Sequence, residues 1–201
     1  MGHTGHSWTH WRGCDCERCL AHRQGFRCAP SPPVKATSGK IQMTPSITIE
    51  RHPYEEPHHV NLVIKATNGR LCGELGFYAN ATDLIGLADA LERFPTCVPT
   101  WYLWELGSER PEDRFAHYMR FRVFTTDAVG HCAIQLRFNN NEDLPGREVS
   151  EFCIRVEPVA LDRLSQLVRE FAKLKHELLC WTPSRGKLHR TRQEAEPEDG
   201  V

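Results

Sequence analysis

The sequence predicts an α+β fold: a largely antiparallel sheet of about six to seven strands, in the order βββαββββα, carrying two amphipathic helices. Three observations predict it. Apolar and polar residues alternate along seven short segments within residues 46–157. Two other segments place leucines three and four residues apart, the spacing of one helical face. Asn68-Gly69 and residues 127–130 put turn chemistry between consecutive strands.

The elements follow in order. Residues 46–51 alternate Ile47 and Ile49 with polar neighbours and predict a strand. A proline-broken loop follows. Residues 59–66 and 70–79 are then two strands joined at Asn68-Gly69, which favours a two-residue type I′ turn. That turn predicts a register with Thr67 opposite Arg70, Ile64 opposite Gly73, Leu62 opposite Leu75 and Val60 opposite Phe77. Leu84, Leu87, Ala88 and Leu91 share one helical face, with Thr82 as the expected N-cap and Pro95 as the stop. Residues 100–106 form an aromatic strand. Residues 114–126, 131–138 and 150–157 give three more strands. After Pro158, Leu161, Leu164, Leu167, Phe171, Leu174 and Leu178 trace one side of a helix of about five turns.

Composition divides the 201 residues into three parts, of which only 43–181 carries this pattern, as a single α+β domain with 15 basic and 20 acidic side chains. Residues 1–42 hold Cys14, Cys16, Cys19 and Cys28 among histidines and prolines, with no apolar period. They predict a disordered extension, with Met43 as an alternative start just before the first strand. Residues 182–201 balance four basic against four acidic side chains and predict a polar, disordered tail. No segment reaches the ~18 apolar residues of a membrane span, and the N-terminus has no apolar signal region. Nine cysteines, an odd number, predict reduced thiols in a cytoplasm.

Few motifs in the chain carry chemistry. No phosphate loop, HExxH, GxSxG or dinucleotide fingerprint occurs. Thiolates at positions 14, 16, 19 and 28 could close a tetrahedral zinc site, but C-x-C-x-x-C-x8-C lacks two separated knuckles, so neither metal nor cofactor is expected. His131 and Cys132 are adjacent on a strand and therefore point to opposite faces, which prevents a thiol–imidazole pair. Tyr118, Arg120, Arg122 and Phe124, beside Gln135 and Arg137, could stack single-stranded RNA, but the charge of −5 over residues 43–181 opposes nucleic acid. Glu105, Glu109, Glu112 and Asp113 lie beside Trp104, which predicts an acidic patch with an aromatic anchor for a basic protein partner.

Several stretches carry a resemblance: Asn61 to Ile64, Gly73 to Phe77, Ala81 to Phe94, Phe121 to Phe124, Gly130 to Leu136, Phe152 to Glu157 and the closing helix. Their layout, over about residues 46–178, resembles the small cytosolic α+β immunity proteins of the WapI-like type, found with bacterial contact toxins. The resemblance implies a non-catalytic protein that binds and neutralises a toxin encoded nearby, with no catalytic residues to carry over. A zinc-dependent nucleic-acid or protein adaptor built on the N-terminal cysteines, and a small enzyme, are the alternative expectations.

Overall fold

The computed structural model describes residues 43–54 and 56–195, so the expectations for residues 1–42, including the four-cysteine zinc set, and for residues 196–201 lie outside the described residues. The chain forms two antiparallel sheets with helices packed on them, an α+β fold as expected. Its strands are β1 (Ser46–His52), β2 (His59–Thr67), β3 (Cys72–Asn80), β4 (Trp101–Gly107), β5 (Tyr118–Thr125), β6 (Cys132–Asn139), β7 (Val149–Val156), β8 (Leu178–Trp181) and β9 (Gly186–His189). The helices are α1 (Ala81–Leu91), between β3 and β4, and α2 (Pro158–Phe171), between β7 and β8.

Where one sheet was expected there are two, one ordered β3-β2-β1-β8-β9 and the other β4-β5-β6-β7. The helical connections divide them. Through α1 the chain leaves the first sheet and begins the second; through α2 it returns to pair with β1. Both sheets turn their apolar residues into one core, which also takes Leu84, Leu87 and Leu91 of α1 and Leu161, Leu164 and Phe171 of α2. The sheets meet at Gly73 of β3. A Cβ there would lie 2.1 Å from Ser150 Oγ on β7 and 2.8 Å from Phe138 on β6, so this approach needs a residue without a side chain.

The hairpin between β2 and β3 keeps the predicted faces but not the predicted register. Leu62 opposes Phe77, Ile64 opposes Leu75 and Val60 opposes Ala79, a slip of two residues. The connection is wider than a two-residue turn. Asn68 Oδ1 accepts the N–H groups of Arg70 and Leu71, Thr67 Oγ1 donates to Leu71 O at 2.8 Å, and only Gly69 takes positive φ, +88°. A type I′ turn needs positive φ at both central residues. A slip of two preserves the side-chain period, so the apolar pattern fits both registers.

Helix α1 begins two residues earlier than expected. Asn80, not Thr82, is its N-cap, and the Asp83 carboxylate accepts the Asn80 N–H at 3.1 Å. The Ser165 hydroxyl of α2 donates to Ala88 O of α1 at 2.8 Å, a buried bond that ties the helices together.

Helix α2 is shorter than the leucine spacing predicts, ending at Phe171 rather than near Leu178. Leu174 takes the left-handed conformation, φ +58°. Buried Arg51 donates to Leu174 O and His176 O, both at 3.0 Å, and pairs with Glu56. The chain then enters β8, where Ile47 opposes Trp181 and Ile49 opposes Leu179. Trp181 Nε1 donates to Ala160 O at 3.1 Å beneath the helix. The polar tail is also structured in part: β9 pairs with β8, and Arg163 donates to Pro183 O at 2.7 Å.

Candidate interaction face

Strand pairing sorts the outer face of the four-stranded sheet into rows. One row is Glu105, Arg120, Arg137 and Glu151; the next is Leu103, Arg122, Gln135 and Cys153; the third is Trp101, Phe124, Ala133 and Arg155. The opposite face, with Trp104, Phe121, Leu136 and Phe152, is buried. None of the described helices packs on the outer face.

The first row is neutralised within itself. Arg120 Nε donates to Glu105 at 2.9 Å, and the Tyr118 hydroxyl donates to the same carboxylate oxygen. Arg137 grips Glu109 through Nε and a terminal nitrogen at 2.9–3.1 Å, while its other terminal nitrogen reaches Glu151 at 2.6 Å. Asn139 adds a bond to Glu109 at 2.7 Å. The hydrogen bond from Tyr118, then that from Arg120, holds the Glu105 carboxyl below its ordinary range against the opposing push of burial. Burial acts first on the Tyr118 phenol, with the bond to Glu105 second, and together they push it up to about 12.

The remaining rows are different. Trp101 is 63 % exposed. The Arg122 guanidinium lies 5.1 Å from the Phe124 ring centroid and 6.0 Å from that of Trp101, within cation–π range. Neither Arg122 nor Arg155 forms an ion pair among the described residues. The sheet therefore presents an aromatic and cationic half beside a closed ladder of paired charges.

This geometry redistributes the residues expected to bind a partner. Trp104 is 8 % exposed and packs at 6.1 Å from Phe77 and 6.5 Å from Phe121, so it is a core residue and offers no surface anchor. Strand alternation turns it inward, and only assembly of the sheets shows which side of β4 is inward. Glu105 and Glu109 are held in the charge ladder, and Asp113 pairs with Arg110 at 2.9 Å. Glu112 is exposed in the short 3-10 helix Pro111–Asp113. The four carboxylates are thus not one free acidic patch.

The sequence reading missed Trp101 as the exposed aromatic, four positions before Glu105 on the same face of β4. It also missed the asparagine run before residue 142. Asn141 Nδ2 donates to Ser108 O at 2.8 Å and Phe115 O at 3.0 Å, which pins the loop carrying Glu109.

His131 and Cys132 diverge as expected. Cys132 is buried, its thiol donating to Gly130 O at 3.2 Å, and burial pushes the thiol pKa up. His131 is exposed, with Nδ1 2.5 Å from Asp127 Oδ2. The same Asp127 accepts three backbone N–H groups of its own turn, a structural role. Among the described residues no group of three or more His, Cys, Asp or Glu side chains is placed to hold a metal, and no helix is long and apolar enough to cross a membrane. Comparison with family models, curated proteins and solved structures found no match.

Proposed function

We propose that the chain is a non-catalytic protein-binding module of the immunity kind, which docks a partner protein on the outer face of the β4-β5-β6-β7 sheet. The observation that carries the reading is Trp101, 63 % exposed, beside Arg122, whose guanidinium lies within cation–π range of the Phe124 and Trp101 rings. Tryptophan, tyrosine and arginine dominate interface hot spots: the aromatic side chains bury much area with few rotors to freeze, and arginine adds a planar fork of donors that also packs on rings. Arg122 and Arg155, without an ion pair among the described residues, favour a partner surface that offers carboxylates. In the immunity reading that partner is a toxin encoded nearby. The paired ladder at Glu105 and Glu109 supplies the polar rim of the interface rather than its binding energy.

The test is capture of the neighbouring gene's product by the full chain. Trp101→Ala and Arg122→Glu should each weaken binding by about 2 kcal/mol or more, roughly thirtyfold in Kd. Glu112→Lys should change it little. Unchanged affinity in both face variants would remove this face from the interface. Saturable binding of single-stranded RNA on the same residues, without a protein partner, would replace the proposal with a nucleic-acid reading.

A further inference from the structure

Strand β4 pairs on one side only, with β5. The phase of that pairing says which backbone groups remain. Thr125 N–H donates to Thr100 O at 3.1 Å, and the register aligns these two residues. Hydrogen-bonded and non-bonded pairs alternate along an antiparallel ladder. Tyr102, Trp104 and Leu106 therefore bond to β5. The N–H and C=O groups of Trp101, Leu103 and Glu105 point to the free edge, where no partner occurs among the described residues.

Edges of this kind are ordinarily blunted by lysine, proline or a bulge. Residues 101–107 read WYLWELG and contain no lysine and no proline. Their one charge, Glu105, is already held by Tyr118 and Arg120. Trp101 is exposed, while Tyr102, Leu103 and Leu106 remain half-buried at the rim.

We propose that β4 pairs antiparallel with β4 of a second copy of this chain, about a two-fold axis at Leu103, joining two four-stranded sheets into one of eight. The strand is self-complementary in that register. Leu103 faces Leu103 of the copy, and Trp101 faces Glu105, so the indole N–H meets a carboxylate and no like charges are opposed. On the inner side Tyr102 faces Trp104, which closes the open rim of the core. Pro99, which has no N–H, falls outside the ladder at either end and limits the pairing to residues 100–106. Moving the axis to Trp104 places Leu103 against Glu105, and moving it to Tyr102 brings Pro99 into the ladder, so the Leu103 axis is the register this strand favours. The inference rests on the free edge of β4 and not on the protein partner proposed above, although both surfaces include Trp101.

Sedimentation of the full chain across the micromolar range should give the mass of two chains. Leu103→Lys and Leu103→Glu should each give one chain with unchanged far-ultraviolet circular dichroism, because Leu103 lies on the outer face. Mixing the two variants should restore a dimer, since opposite charges then meet across the axis. The backbone amides of Leu103 and Glu105 should be protected from hydrogen exchange in the native chain and exchange fast in either variant. A full chain that stays monomeric overturns the proposal, as it does if those amides are protected within a monomer, which would put another part of the same chain on the edge. Variants that remain dimeric overturn it too. A mixture that fails to associate overturns the Leu103 axis. Arg155→Glu, on β7 at the opposite edge of the sheet, should leave the mass unchanged while weakening partner binding, which separates this test from partner binding.

Discussion

The two sheets bury their inner faces in one core, and their outer faces are built on different principles. On the five-stranded sheet Lys65 of β2 bridges Glu50 of β1 at 2.9 Å and Glu74 of β3 at 3.8 Å, one cation shared by two carboxylates across three strands. The four-stranded sheet has a comparable ladder, but Trp101, Phe124 and two arginines without an ion pair among the described residues occupy much of the rest. A face of charges matched across strands is satisfied in water and gains little from a partner. A face of aromatic rings and unpaired guanidinium groups still has surface to remove from water. Alternation along a strand decides only that one face is buried; the outer residues decide whether the other is finished.

Four experiments test that contrast and the packing beneath it. The largest effect should come from the two tryptophans of β4. Trp104→Ala should lower stability by about 3–5 kcal/mol, whereas Trp101→Ala should stay within about 0.5 kcal/mol, both by urea unfolding. Comparable losses would erase the distinction between the faces.

Next is the seam between the sheets. Gly73→Val should destabilise by about 1–3 kcal/mol, and Ser150→Gly should recover part of the loss, because the new Cβ would sit 2.1 Å from Ser150 Oγ. A Gly73→Val chain as stable as the native one would mean that the sheets do not meet there.

The hairpin register comes third. A double-mutant cycle between Leu62→Ala and Phe77→Ala should show coupling of about 0.5–3 kcal/mol, larger than the cycle between Leu62→Ala and Leu75→Ala. The reverse order would restore the two-residue turn.

The smallest effect is on pH dependence, and it has opposite signs on the two faces. Glu105 is held below its ordinary 4.5, so its contribution is present above that value and lost as pH falls through the folded pKa. The hydrogen bond from Glu50 leads in raising Lys65 above 10.5, so its contribution is present below that value and lost as pH rises through the folded pKa. Glu105→Gln should therefore flatten the acid limb of the stability profile, and Lys65→Met the alkaline limb. Changes on the same limb would contradict the two-face picture.

The local signals that survived folding are those whose period matches their element. Ile47 and Ile49, or Phe121 and Val123, repeat every second residue and are buried as expected. Leu84, Leu87, Ala88 and Leu91 form the inner face of α1, as their spacing requires. Cys132 is inside because its alternation with His131 left it no other place. The candidate face was only half legible. Its arginines and aromatic residues could be grouped by alternation, but Arg122 without an ion pair and Arg137 with two differ only through Glu109 and Glu151, which come from a distant loop and strand.

By itself the sequence determined the α+β class, the alternating buried sets of strands such as β1, β5 and β6, and the position of α1 to within a residue or two, because these depend on neighbours in the chain. Tertiary structure decided the rest. Residues 178–181 continue the leucine spacing of α2 yet form β8, because Arg51 takes the carbonyls that follow the helix and β1 offers an edge to pair with. The hairpin slipped by two residues, a change invisible to a period of two. Trp101 and Trp104 sit three positions apart on an apolar strand, and no local rule says which is wet. The second sheet decides it, because Phe77 of β3 lies behind β4 and takes Trp104 into the core, leaving Trp101 in water.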